Sequence, residues 1–142
     1  MAEHAIKFTS EMIGAILGHE KTQTRRLVKP QPANGEQPPP KYQIGDILWI
    51  ESTDVWLEVT AVRMERLNNI SEDDADAEGV LACDGMFNDA DYCRIAKEIG
   101  SAIGDPKPCF VLLWQSIYGP ESWSQNPWVW VIEFKVAQVG GE

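Results

Sequence analysis

Trp128-Val129-Trp130-Val131-Ile132-Glu133-Phe134-Lys135-Val136 alternates along its length with the period of two that a β-strand imposes. Trp128, Trp130, Ile132, Phe134 and Val136 share one face, while Val129, Val131, Glu133 and Lys135 share the other, so the stretch reads as a long, half-buried strand. Upstream of it, Phe110, Leu113, Trp114 and Ile117 recur at i, i+3, i+4 and i+7, the stripe of a helix packed on a core, opened near Pro108 and closed by Gly119-Pro120. Gly45-Asp46 reads as a turn into a strand over 47–50, whose near-continuous apolar character predicts burial on both faces. A second strand over 54–62 follows closely enough for a hairpin.

The N-terminal third reads as a short strand over 5–8, with Ile6 and Phe8 on one face, then a helix from Ser10 to Leu17 capped by Thr9 or Ser10 and ended by Gly18. Ser71-Glu72-Asp73-Asp74 is a helix start, with a capping hydroxyl and carboxylates in the first turn, and the helix closes at Gly79. A further helix is expected over 89–99. The antiparallel middle pair excludes a simple βαβ series, so the expected fold class is α+β, a small mixed barrel with helices at its ends. Ile6, Phe8, Leu48, Ile50, Leu57, Val59, Trp114, Ile132 and Phe134 are its expected core.

A chain of 142 residues, 44% apolar, suits one domain with a substantial core. No stretch approaches the roughly 20 apolar residues of a membrane span, and the first residues lack the basic-then-apolar order of a secretory leader, so a cytoplasmic protein without a membrane partner is expected. Cys83, Cys93 and Cys109 show no C-x-x-C spacing and the only histidines are His4 and His19, which supports neither a disulfide framework nor a zinc site. Asp74, Asp76, Glu78 and Gly79 imitate the opening of a calcium-binding loop, but Gly85 stands where its bidentate glutamate belongs. No metal and no cofactor are expected.

The net charge of −10 is unevenly spread: residues 1–30 hold five Lys/Arg against three Glu (+2), and the remainder seven against nineteen Asp/Glu (−12). A single basic site on an acidic body suits a nucleoside, a nucleotide or a short single strand and disfavours a long duplex. That site is Lys21-Thr22-Gln23-Thr24-Arg25-Arg26, followed by Lys29. Lys21 is a candidate base or charge, Thr24 a candidate nucleophile or donor, and Arg25, Arg26 and Lys29 candidate phosphate partners. Lys21 and Thr24 would point to opposite faces of a regular strand, so joint action is expected to need a turn there. Five prolines between Pro30 and Pro40 make the next segment a loop, and Trp123, in the loop 121–127, is the best candidate for stacking on a base.

Taken together, Lys21-Thr22-x-Thr24-x-Arg26, Gly45-Asp46-x-Leu48, Ala77-Glu78-Gly79 and Val131-Ile132-Glu133-Phe134 resemble the ASCH domain family of PUA-like β-barrels over nearly the whole chain, read as one domain, 1–142. The closing block from Leu113-Trp114 through Ser122-Trp123 to Trp130 is similar to phage and prophage members, which would place the protein in a bacterial host cell. The family includes compact amidohydrolases that remove the acetyl group from acetylated cytidine with a lysine, a threonine three residues later and a distant glutamate. The resemblance carries these roles onto Lys21, Thr24 and Glu78. Other members are described as acting on single-stranded RNA, and the wider group contains readers of modified bases. The chain departs from the compact pattern in the position of Gly18, in the Pro-rich loop 31–41 and in the longer segment 80–108. Three readings follow: an amidohydrolase acting on a modified cytidine, a noncatalytic reader of a nucleotide or short RNA, and a phage accessory protein that binds a protein partner. Oligomeric state is left open, and Lys21 paired with Glu78 as a plain ion bridge stands beside the catalytic reading.

Overall fold

The computed structural model describes residues 2–34, 36–80 and 87–140. Five strands and four α-helices follow in the order β1 (Glu3–Ile6), α1 (Ser10–Leu17), β2 (Gln23–Leu27), β3 (Ile47–Ile50), β4 (Val55–Arg66), α2 (Glu72–Ala77), α3 (Asp89–Ile99), α4 (Lys107–Tyr118) and β5 (Trp128–Val139). The strands form one mixed sheet in the order β1-β3-β4-β5-β2. β1 runs parallel to β3, and the other three pairings are antiparallel. The α+β class, small mixed sheet and flanking helices are those expected, but the sheet is open and not a closed barrel, with β1 and β2 as its edges.

β5 lies inside the sheet, paired along one side with β4 from Arg66↔Trp128 to Val55↔Val139 and along the other with β2 from Leu27↔Val129 to Gln23↔Glu133. Its first half is buried on both faces, which corrects the half-buried expectation. Trp130, Ile132 and Phe134 face one core with Ile6, Ile16, Leu48, Ile50, Leu57 and Val59, while Val129 and Val131 face a second with Leu67, Ile70, Ala75, Val80, Phe110 and Trp114. The reason is α4, which covers the second face, so the small valines become core and the strand turns polar only near its end. β3 shows the reverse: Leu48 and Ile50 are fully buried, whereas Ile47 and Trp49 are half-buried, so one face rather than both is covered.

Local signals account for the helix ends. The Thr9 hydroxyl accepts from the Met12 N–H at 3.3 Å, and that of Ser71 from the Asp74 N–H at 3.0 Å, each satisfying a donor at a helix start. β1 begins and ends two residues earlier than expected, because the Asp46 carboxylate holds the Ala2 N–H at 3.0 Å and the Glu51 N–H closes on the Ile6 carbonyl at 2.9 Å. Phe8 thereby leaves the sheet and turns toward β2. The expected strand over 54–62 extends to Arg66, and the expected helices over 89–99 and from Pro108 onward are present as α3 and α4. Part of the segment 80–108, including Cys83 and Gly85, lies outside the described residues.

Candidate functional site

The basic run does not turn. Gln23 to Leu27 form β2, and Lys21, just before it, makes a bridge with Glu78, the residue that caps the C-terminus of α2. Lys21 is buried at 4% exposure and Glu78 at 6%. The Lys21 ammonium donates to the Glu78 Oε1 at 3.1 Å, to the Glu78 carbonyl at 2.9 Å and to the Gln23 carbonyl at 2.9 Å, which satisfies all three of its donors. Burial is the main force on this group and lowers its pKa, opposed by the Glu78 carboxylate and reinforced by Arg26 and Arg25.

Glu78 is shared. Its Oε2 accepts from Arg25 Nη1 at 3.2 Å, and the same guanidinium bonds the Gln23 side chain and reaches Asp74 at 3.3 Å and Glu65 at 3.4 Å. Arg25 is therefore an internal counterion for three carboxylates, a set of partners that its expected role toward a phosphate did not include. A second arginine, Arg63, extends the network to Glu65, Asp74 and Glu133. Asp74, read from sequence as part of a helix start, is thus tied into the cluster beneath the site.

Thr24 and Arg26 lie on the opposite face of β2, beside Ile132 and Trp130 of β5. The Thr24 hydroxyl accepts from Arg26 Nε at 3.4 Å, and Arg26 Nη2 donates to the Lys7 carbonyl at 2.8 Å. The guanidinium lies over the Phe8 ring at 5.0 Å, with Lys21 Nζ 5.6 Å from the same ring. Lys21, Thr24, Arg25, Arg26 and Glu78 nevertheless line one cavity of about 200 Å3, walled by Phe8, Met12 and the α4 residues Phe110, Leu113, Trp114, Ile117 and Tyr118. The expected need for a turn is met another way. β2 is the edge strand, and the cavity runs along its unpaired edge, where side chains from both faces reach one space.

The structure therefore brings Lys21, Thr24, Glu78 and Arg26 together. Lys29 lies in an adjoining cavity, and Trp123 lines neither cavity, being partly buried against the second and third cores with the Lys107 ammonium 6.0 Å from its ring. Two contributors were not singled out by sequence reasoning. Phe8 read as a core strand residue, and its role as the platform under Arg26 depends on β1 ending early. Gly79 read only as a helix end, yet it has φ of +82° and closes on Lys21, and a glycine just after a helix is the signal for such a conformation.

No protein-family model and no curated protein matches the sequence. Among solved structures, the chain is similar to protein EF3133 from Enterococcus faecalis V583, at 16% identity over 100% of this chain and 84% of that one with a TM-score of 0.53. It is similar to the hypothetical protein PH0355 at 15% identity over 96% and 99%, TM-score 0.51. An ASCH domain from Lactobacillus crispatus JV V101 aligns at 21% identity over 95% and 79%, TM-score 0.49. No helix among the described residues is long and apolar enough to cross a membrane. The first two likenesses, each spanning nearly the whole chain, show that it shares its fold with those proteins.

Proposed function

We propose that the protein is a small amidohydrolase that removes the acetyl group from an acetylated cytidine, at the cavity along the edge of β2. The observation that carries this reading is the burial of Lys21 against Glu78 in a cavity that Thr24 also lines, the three residues on which the resemblance to ASCH-domain amidohydrolases rests. A volume of about 200 Å3 falls below the roughly 300–1,000 Å3 of typical drug-sized ligand sites and suits one base or nucleoside.

In this mechanism Lys21, its ammonium destabilised by burial, releases one proton to solvent before the reaction and, as the neutral amine, takes the Thr24 hydroxyl proton. The Thr24 oxygen attacks the acetyl carbonyl, and Arg26, which lines the same cavity and whose Nη1 has no acceptor among the described residues, stabilises the oxyanion. The proton then passes from Lys21 through Glu78 to the departing exocyclic amine as the carbon–nitrogen bond breaks. Water cleaves the acetyl-threonine ester, giving acetate and restoring Thr24. Binding requires Lys21 to exchange one of its three present acceptors for Thr24, a tightening of the kind that substrate brings about in catalytic hydrogen bonds.

A second reading, a noncatalytic reader of a modified base, is favoured by one observation: the three donors of Lys21 are satisfied without Thr24, whose hydroxyl is engaged by Arg26. Following cytidine release from acetylcytidine by chromatography separates the two. Product that depends on Thr24 supports the hydrolase, and binding without product at high enzyme concentration supports the reader.

A further inference from the structure

Arg26 is half-buried in a chain of net charge −10, yet no carboxylate lies within 4 Å of it among the described residues. Its guanidinium is fixed by the Thr24 hydroxyl, the Lys7 carbonyl and the Phe8 ring, which leaves Nη1 without an acceptor among the described residues. A positioned cation without a counterion calls for an anion from outside. Arg26 and Tyr118 are shared by two cavities, the one described above and a second of about 370 Å3. The second is lined by Lys29 and Lys41 together with Pro38, Pro39 and Trp130, and no acidic residue lines it. Neither lysine is in an ion pair among the described residues, both are exposed, and the Lys41 ammonium sits 5.3 Å from the Tyr42 ring. The proline-rich loop thus forms one wall of a basic recess next to the nucleoside-sized cavity, and its prolines limit the entropy lost on closing over a ligand.

We infer that this second cavity is a phosphate subsite, and that the natural ligand is a phosphorylated nucleotide, whose base enters the cavity of Lys21 while Lys29, Lys41 and Arg26 receive its phosphates. The inference rests on the proposed function only in assigning the base to the first cavity. Phosphate on a free nucleotide and phosphate within a strand present the same chemistry to these cations, so the two sources are separated by the ligands used.

The test is calorimetric titration of the full chain with cytidine, cytidine 5′-diphosphate, inorganic pyrophosphate and a five-nucleotide single-stranded RNA, repeated with the Lys29→Ala/Lys41→Ala variant. Both positions are exposed, and a thermal melt confirms that the variant is folded. The diphosphate is expected to bind at least about tenfold more tightly than cytidine, as two charge-assisted contacts allow, and that ratio is expected to fall to within about threefold in the variant. The preference should weaken with added salt. Tighter binding of the RNA than of the diphosphate identifies a strand as the source, and equal binding a free nucleotide. Cytidine and the diphosphate binding alike would overturn the subsite while leaving the base cavity standing. Pyrophosphate binding that depends on Lys29 and Lys41, with no binding of cytidine, would uphold the subsite and remove the nucleoside reading. Failure of both pyrophosphate and the diphosphate to bind would overturn the inference.

Discussion

Gly79 lies so close to Lys21 that a β-carbon placed on the glycine would sit 2.7 Å from the Lys21 β-carbon and 3.1 Å from that of Ala15. Its φ of +82° is a second constraint, since a side chain there is strained in any surroundings. Together these let the end of α2 close on the start of β2 and place the Glu78 carboxylate on Lys21. Gly100 has a comparable φ of +76° with nothing within 4 Å of the same position. Gly79→Ala is therefore expected to lose about 2–4 kcal/mol, adding overpacking to strain, and Gly100→Ala only about 1–2 kcal/mol. Urea denaturation of both variants measures the difference, and equal losses would show that the approach to Lys21 is not tight.

Phe134 is 5% exposed and packs in the first core, 6.2 Å from the Phe8 ring that carries Arg26. Phe134→Ala is expected to reduce stability by about 3–5 kcal/mol and to weaken ligand binding through the loosened Phe8. A loss within assay error would mean that β5 presents its other face to this core.

Glu78→Gln removes the carboxylate that holds Lys21 toward its charged form and leaves burial to depress the lysine further. Stability at neutral pH is expected to fall by about 3–5 kcal/mol, the usual effect of stranding one member of a buried pair. A lysine with a lower pKa folded than unfolded binds fewer protons in the folded state between the two values. Its unfavourable contribution is complete below the folded value and is relieved as pH rises toward the unfolded value of about 10.4. The variant's stability should accordingly climb with pH over a wider range than that of the native chain. Urea midpoints at successive pH values that run parallel for the two proteins would contradict this.

How much of this was legible in the sequence depended on whether a signal was local. The Thr9 and Ser71 caps are local and the structure has them as read, and so is the α4 stripe at Phe110, Leu113 and Trp114, whereas Ile117, expected to complete it, is 60% exposed. The burial of Val129 and Val131 depends on α4 crossing the second face of the sheet, which no period within β5 records. For the site, residue types and spacing brought forward Lys21 and Thr24, the family resemblance added Glu78, and the cavity contains all three. Arg25 and Arg26 are adjacent and alike in sequence but lie on opposite faces of an edge strand. One is consumed by Glu78, Asp74 and Glu65, and the other is left without a carboxylate. Trp123 reads from sequence as a loop aromatic, and only the packing of α3 and α4 shows that part of its ring lies against the interior.

Asp46 sits at the turn that starts β3, where its carboxylate accepts from the Ala2 N–H at 3.0 Å, the Gln43 N–H at 2.9 Å and His4 Nε2 at 3.2 Å. The two backbone donors chiefly hold its pKa below the ordinary aspartate value. A depressed carboxyl contributes stability that is present above its unfolded value of about 3.9 and is lost as pH falls through the lower folded value. Asp46→Asn should flatten the acid limb of the stability curve in that interval. An acid limb identical to that of the native chain would show that β1 is not anchored through this carboxylate.

The most direct measurement is the rate of cytidine formation from acetylcytidine by the native chain, beside Lys21→Ala, Thr24→Ala and Glu78→Gln, each first shown to be folded. If the cavity along β2 is catalytic, the native protein forms cytidine and acetate in equal amounts. Each single substitution then removes nearly all of the rate, because groups that act as one unit are lost together. No product from the native chain at high concentration, or undiminished product from Thr24→Ala, would contradict the account.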